Sequence, residues 1–156
     1  MNREAIYQAI RNLMDEVTWQ REGETTVRSF VTKSRRVRLF ADVVSEQQPS
    51  SFQAEHDEQI AQVTGMPYKN TMACSWIIFQ DTSKDGTTQG AIENNLILDA
   101  IDLAFKPKVQ DPGYFDKRNT LGGLVHHFFV SGRVFKDPGD IDGQGMMVVP
   151  IKILVP

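Results

Sequence analysis

Thr71-Met72-Ala73-Cys74-Ser75-Trp76-Ile77-Ile78-Phe79-Gln80 carries apolar side chains on both faces of an extended chain. Successive strand residues point to opposite sides, so Met72, Cys74, Trp76 and Ile78 share one face, and Ala73, Ile77 and Phe79 share the other. A strand apolar on both sides must be covered on both sides, which places this one inside a sheet.

Upstream, Gly65-Met66-Pro67 is a turn signal. Before it, Phe52, Ala54 and His56 alternate with Gln53, Glu55 and Asp57, the pattern of a strand with one polar face. Residues 45–50 are a polar break, and residues 27–40, with Val27, Phe30, Val31, Val37, Leu39 and Phe40 among Ser, Thr, Lys and Arg, have a β-like composition. At the start of the chain, Ile6, Ile10, Leu13, Met14 and Val17 fall in one stripe at helical spacing, with Tyr7 beside them. That predicts a helix with one face to bury.

Downstream, a loop over 81–86 leads to a second predicted helix over 91–105, with Ile92, Leu96, Ile97, Ala100, Ile101 and Ala104 as its apolar stripe. Leu98 falls on the side of Asn94, Asn95, Asp99 and Asp102 and is a contact candidate. Residues 106–119 contain two prolines, a glycine and several charges without a clean period, which reads as a long surface arm. Residues 121–135 are predicted as a strand, with Leu124, Phe128, Val130 and Val134 on one face and Val125, Phe129 and Phe135 on the other. The turn formers Asp137-Pro138-Gly139-Asp140-Ile141-Asp142-Gly143 then suggest a hairpin. The last strand sets Met147, Val149, Ile151, Ile153 and Val155 on one face, and Pro150 argues for an edge or a bulge there. The order is helix, strands, helix, two strands. It predicts one α+β domain over 1–156, an antiparallel or mixed β-sheet with two α-helices packed on it.

The 156 residues are enough for one core without staples. A 40% hydrophobic, 24% charged composition excludes a disordered chain, and a net charge of −3 speaks against a polyanion binder held by bulk charge. With Cys74 as the one cysteine there is no intrachain disulfide. The charged N-terminal helix is unlike a signal peptide, no apolar run is long enough to span a membrane, and the chain reads as soluble.

Reactive constellations are thin. Fitting an EF-hand loop with Gly143 sixth puts Pro138 first and Val149 twelfth, so both key ligands are missing and Asp137, Asp140 and Asp142 read as a polar hairpin tip. His126 and His127 point to opposite faces of a strand, and neither they nor His56 finds a completed ligand set. Cys74, with a histidine and Asp57, is the one nucleophile to weigh, and its apolar strand favours a packed thiol over a polarised one. No nucleophile elbow, HExxH or phosphate-binding loop occurs. The expectation is a non-enzyme without metal or cofactor. The basic cluster Lys33, Arg35, Arg36 and Arg38 could pair with carboxylates of a neighbouring subunit, touch passing DNA, or be a solvated face.

Three stretches carry a resemblance. Ser34-Arg35-Arg36-Val37-Arg38 runs through Asp42 to Glu46-Gln47-Gln48-Pro49 and Phe52-Gln53-Ala54-Glu55-His56. Thr120-Leu121-Gly122-Gly123-Leu124-Val125-His126-His127 follows, and the chain finishes Val149-Pro150-Ile151-Lys152-Ile153-Leu154-Val155-Pro156. This combination resembles small proteins of the tail genes of long-tailed bacteriophages, and the nearest functional class is the tail terminator, or tail completion protein. The resemblance implies an α+β subunit that forms a hexameric ring on the last ring of tail-tube protein. Such a ring stops tube growth and offers the attachment surface for the head connector. It also implies location at the head-proximal end of the virion tail, assembly in the host cytoplasm, DNA passing only through the lumen, and no membrane partner. A head–tail joining or neck protein is the alternative slot, and a small cysteine hydrolase the alternative class. On this reading the interface candidates are Arg35, Arg36, Arg38, Lys84, Leu98, Asp111, Tyr114, Phe115, Asp140 and Asp142, with the loops 81–90 and 106–119 at subunit contacts and the last strand available for pairing between subunits.

Overall fold

The computed structural model of the chain describes residues 1–83 and 90–156; Lys84 and most of the 81–90 loop lie outside the described residues. In chain order the elements are α1 (Arg3–Asn12), β1 (Thr18–Trp19), β2 (Arg28–Ser29), β3 (Thr32–Ser34), β4 (Ser50–Glu55), β5 (Gln59–Ala61), β6 (Lys69–Asp81), α2 (Gly90–Ala104), β7 (His127–Val130), β8 (Phe135–Asp137) and β9 (Gln144–Val155). The fold is α+β.

Strand β6 is the spine, as its two apolar faces predict. It pairs antiparallel with β9 along nearly its whole length, from Asn70↔Val155 at one end to Asp81↔Gln144 at the other. The far edge of β6 takes β4 and, beyond its end, β5. Strand β3 adds to β4 in parallel, so the sheet is mixed. Strands β7 and β8 share the outer edge of β9, and β1 with β2 form a separate small ribbon.

Both helices lie on the sheet face that bears Met72, Trp76, Ile78, Met147, Val149 and Ile151. Helix α1 starts on an Asn2 cap, whose side chain accepts from the Ala5 N–H. Its predicted stripe is buried throughout, and Leu13 and Met14 continue it on a single 3₁₀ turn. A ten-residue helix is unstable alone, but burying side chains such as Ile6, Ile10 and Met14 contributes about 1.5–3 kcal/mol each. Tertiary packing holds it in place.

Helix α2 sits differently from its predicted stripe. Ile92 is exposed, whereas Glu93 and Asn94 are buried. The Glu93 carboxylate accepts from Trp19 Nε1 and Arg21 Nε, both at 2.7 Å. Asn94 meets the Gln80 side chain and donates to the Asp137 carbonyl. These polar partners rotate the first turn inward, which hydrophobicity alone cannot foresee. Leu98 is correspondingly half-buried and packed against the core, so it is not the exposed contact the sequence suggested.

Strand β4 also reverses its expected polarity. Gln53 is fully buried on the helix side, donating to the Tyr7 carbonyl and accepting from Trp76 Nε1. Phe52 faces the other way, into a small cluster with Val43 and Phe79 that the loop before β4 covers. Much of 27–40 is irregular chain; only β2 and β3 are extended ladders there. The predicted strand over 121–135 is broken, with a turn at 121–124, β7, and then a short irregular stretch before β8. Its predicted faces mix accordingly: Val125 and Phe128 are buried, while Leu124 and Phe135 are exposed.

Strand β9 is central, not at an edge, so it is not available for pairing with another subunit along its length. Pro150 is tolerated because it falls where β7 has ended and β8 has not begun. In an antiparallel ladder a residue's N and O point to the same side, and the Pro150 carbonyl accepts from Ser131 N at 3.0 Å on that outer side. The missing donor therefore faces the gap between two short edge strands.

Candidate interaction surfaces

The basic segment after β3 is turned mostly onto its own chain. Arg35 lies between Glu4 of α1 and Glu55 of β4, bonded to both, and stands over the Tyr7 ring. These carboxylates raise the Arg35 guanidinium further above its usual value. Lys33 pairs with Asp15 at 2.8 Å. Arg38 lies over the Phe52 ring, 5.4 Å from its centroid. Within its own chain Arg35 is not simply solvated: it ties the end of the edge strand to the first helix. Arg36 is exposed, and its side chain has no partner among the described residues.

The 106–119 segment is a tethered loop, not a loose arm. Asp111 is buried at its base, and its carboxylate accepts from Gly113 N at 2.7 Å, Thr120 Oγ1 at 2.7 Å, Thr120 N at 3.0 Å and Gly122 N at 3.3 Å. Burial opposes ionisation of this carboxyl, but the hydrogen bonds outweigh it and hold it below the ordinary carboxylate range. Asp111 is thus a structural tie and is removed from the contact candidates. Asn119 adds a bond from Nδ2 to the Phe105 carbonyl at 3.0 Å. On this anchored base, Tyr114 and Phe115 sit in one 3₁₀ turn with their rings 5.6 Å apart, and Phe115 is 92% exposed.

The predicted hairpin forms between β8 and β9. Asp137 Oδ1 accepts from Gly139 N and Asp142 Oδ1 from Gln144 N, both at 2.9 Å. Thr82 stitches the tip to the end of β6 through bonds to the Gly139 and Gly143 carbonyls. Asp140 and Asp142 are exposed as expected, and between them Ile141 is fully exposed. Sequence reasoning passed over Ile141, though an apolar residue inside a run of Asp and Gly was the available signal.

Cys74 is buried in the core, and burial pushes its thiol up to about 12. It is a packed thiol, as its apolar strand predicts. His56 Nε2 shares a 2.8 Å hydrogen bond with Ser75 Oγ on the sheet's outer face. His127 stacks on Phe129, 5.0 Å between ring centroids, and its Nδ1 receives Asn119 N at 3.2 Å. Among the described residues no group of three or more His, Cys, Asp or Glu is placed to hold a metal ion, and no helix is long and apolar enough to cross a membrane.

What the structure defines is an α+β domain with two helices on one face of a mixed sheet and apolar side chains projecting from anchored turns at its ends. Compared with known proteins, the sequence matches no family model and no curated protein.

Proposed function

We propose that the chain is a ring-forming structural subunit of a phage virion, of the tail-terminator type. On this reading it closes the tail tube, stops its growth and offers the head connector a surface, with no reactive group in use. The observation that carries it is a pair of unlike, exposed apolar side chains on hydrogen-bonded turns at opposite ends of the central strands. Phe115 projects from a loop whose base is fixed beside His127, and His127 pairs with Leu154 near one end of β9. Ile141 projects beyond the other end, past Gln144. A closed ring of identical chains needs two different patches on each subunit, one for each neighbour. Large apolar side chains held out in water on hydrogen-bonded turns supply them.

The test is electron microscopy of particles assembled with and without the chain. Loss of a terminator gives headless tails of uncontrolled length. Loss of a neck subunit gives tails of normal length that fail to join heads, and intact virions without the chain would refute both. Because Asp111 anchors the 106–119 loop, the loop's contact role is tested with Phe115→Asp and not by deleting 111–116. Unchanged assembly with that variant would remove the loop from the contact set.

A further inference from the structure

Between the start of β6 and the end of β9 lies an open cavity of about 460 Å³. Met66, Tyr68, Leu154 and Val155 supply apolar walls, and Met66 and Tyr68 are themselves more than half exposed. Among the side chains that line it the one fixed charge is Lys69, and none is acidic. Strand β5, shortly before this region, is exposed at every residue.

The hairpin tip has the complementary character. Ile141 stands fully in solvent between two exposed carboxylates, Asp140 and Asp142, and neither forms an ion pair among the described residues. The tip is held by Thr82, Asp137 and Asp142, so presenting Ile141 costs little further ordering. The two features are at opposite ends of one ladder, the tip beyond Asp81↔Gln144 and the cavity at Asn70↔Val155. Thirteen strand residues at 3.3 Å each separate them by about 40 Å, so the tip cannot enter its own chain's cavity.

We infer that the Asp140-Ile141-Asp142 tip of one subunit docks in the Met66–Tyr68–Leu154 cavity of a second copy of this chain, with Lys69 facing the two carboxylates. The contact is head-to-tail, so repeating it generates a ring or a filament. An isoleucine side chain is far smaller than the cavity, leaving room for the flanking backbone of the tip. The inference rests on the ring reading insofar as the occupant is a second copy, and it specifies which ends meet.

Two measurements test it. The full-length double variant Ile141→Cys/Met66→Cys, oxidised with diamide, should give a ladder of reducible oligomers beyond the dimer on a non-reducing gel. Either single variant can form a disulfide dimer at most, and buried Cys74 does not contribute. A double variant that yields no more than the singles overturns the docking. Sedimentation of the wild type, Ile141→Asp and Lys69→Glu forms the second arm. Weakening of self-association by at least about tenfold is expected in each variant, with recovery when Lys69→Glu is combined with Asp140→Lys and Asp142→Lys. Wild-type assembly that the variants leave unchanged removes this contact while the ring reading stands. A wild-type chain that stays monomeric at every concentration, alone and with tube protein, overturns both.

Discussion

Replacing Asp111 should unfasten the 106–119 loop, and the expected loss can be worked from its bonds. The carboxylate satisfies four donors: Gly113 N, Thr120 N, Thr120 Oγ1 and Gly122 N. Hydrogen bonds to a charged group contribute about 1.5–3 kcal/mol each, but one group's bonds do not add fully, and water can reach the exposed Gly122. Asp111→Ala should therefore destabilise the fold by about 3–4 kcal/mol, a fall in Tm of about 10 °C for a chain of this size. Asp111→Asn keeps one acceptor oxygen and turns an amide donor toward the remaining N–H groups, costing about 2 kcal/mol. The folded carboxyl lies below its ordinary value, so the unfolded chain takes up the proton first as pH falls. The wild-type contribution is complete above the unfolded pKa of about 4 and is lost as pH drops through the lower, folded one. Urea denaturation of the wild type and Asp111→Asn across that range should show a stability gap that is full at neutral pH and narrows in acid. Other tethered carboxylates, such as Asp15, titrate alike in both proteins and cancel in the difference. A gap that is absent at pH 7, or that does not change in acid, refutes the tether.

Three further outcomes follow from the same structure. In Gly139→Ala the new methyl would lie 2.4 Å from Gly145 N at a φ of 73°, so the hairpin should lose about 3 kcal/mol by thermal unfolding; a neutral Tm would contradict the tight turn. Cys74 should resist a water-soluble disulfide reagent at pH 8 while the protein is folded and react at once in urea, whereas prompt reaction of the native chain would mean an accessible, polarised thiol. Arg35→Ala should lower the Tm by a few degrees, less so in about 0.5 M salt, whereas Arg36→Ala should leave it unchanged. Equal effects would mean that Arg35 is as solvated as its neighbour.

The sequence alone determined the elements whose side chains follow one period and one environment. The α1 stripe, the two-faced β6, the buried face of β9 and the turn-rich hairpin all obey it, because apolar side chains at 3.6 or 2 residue spacing leave the chain one way to cover them. Only the tertiary structure decided where polar side chains went. Gln53 and Glu93 are buried because distant partners, Trp76 and Trp19, need acceptors; Asp111 turns inward because backbone N–H groups converge on it. Pro150 lies in a central strand because its neighbours on one side are too short to require its donor. A hydrogen-bond partner far along the chain leaves no periodic trace, and neither does the reach of an exposed side chain such as Ile141, which depends on what the folded chain leaves around it.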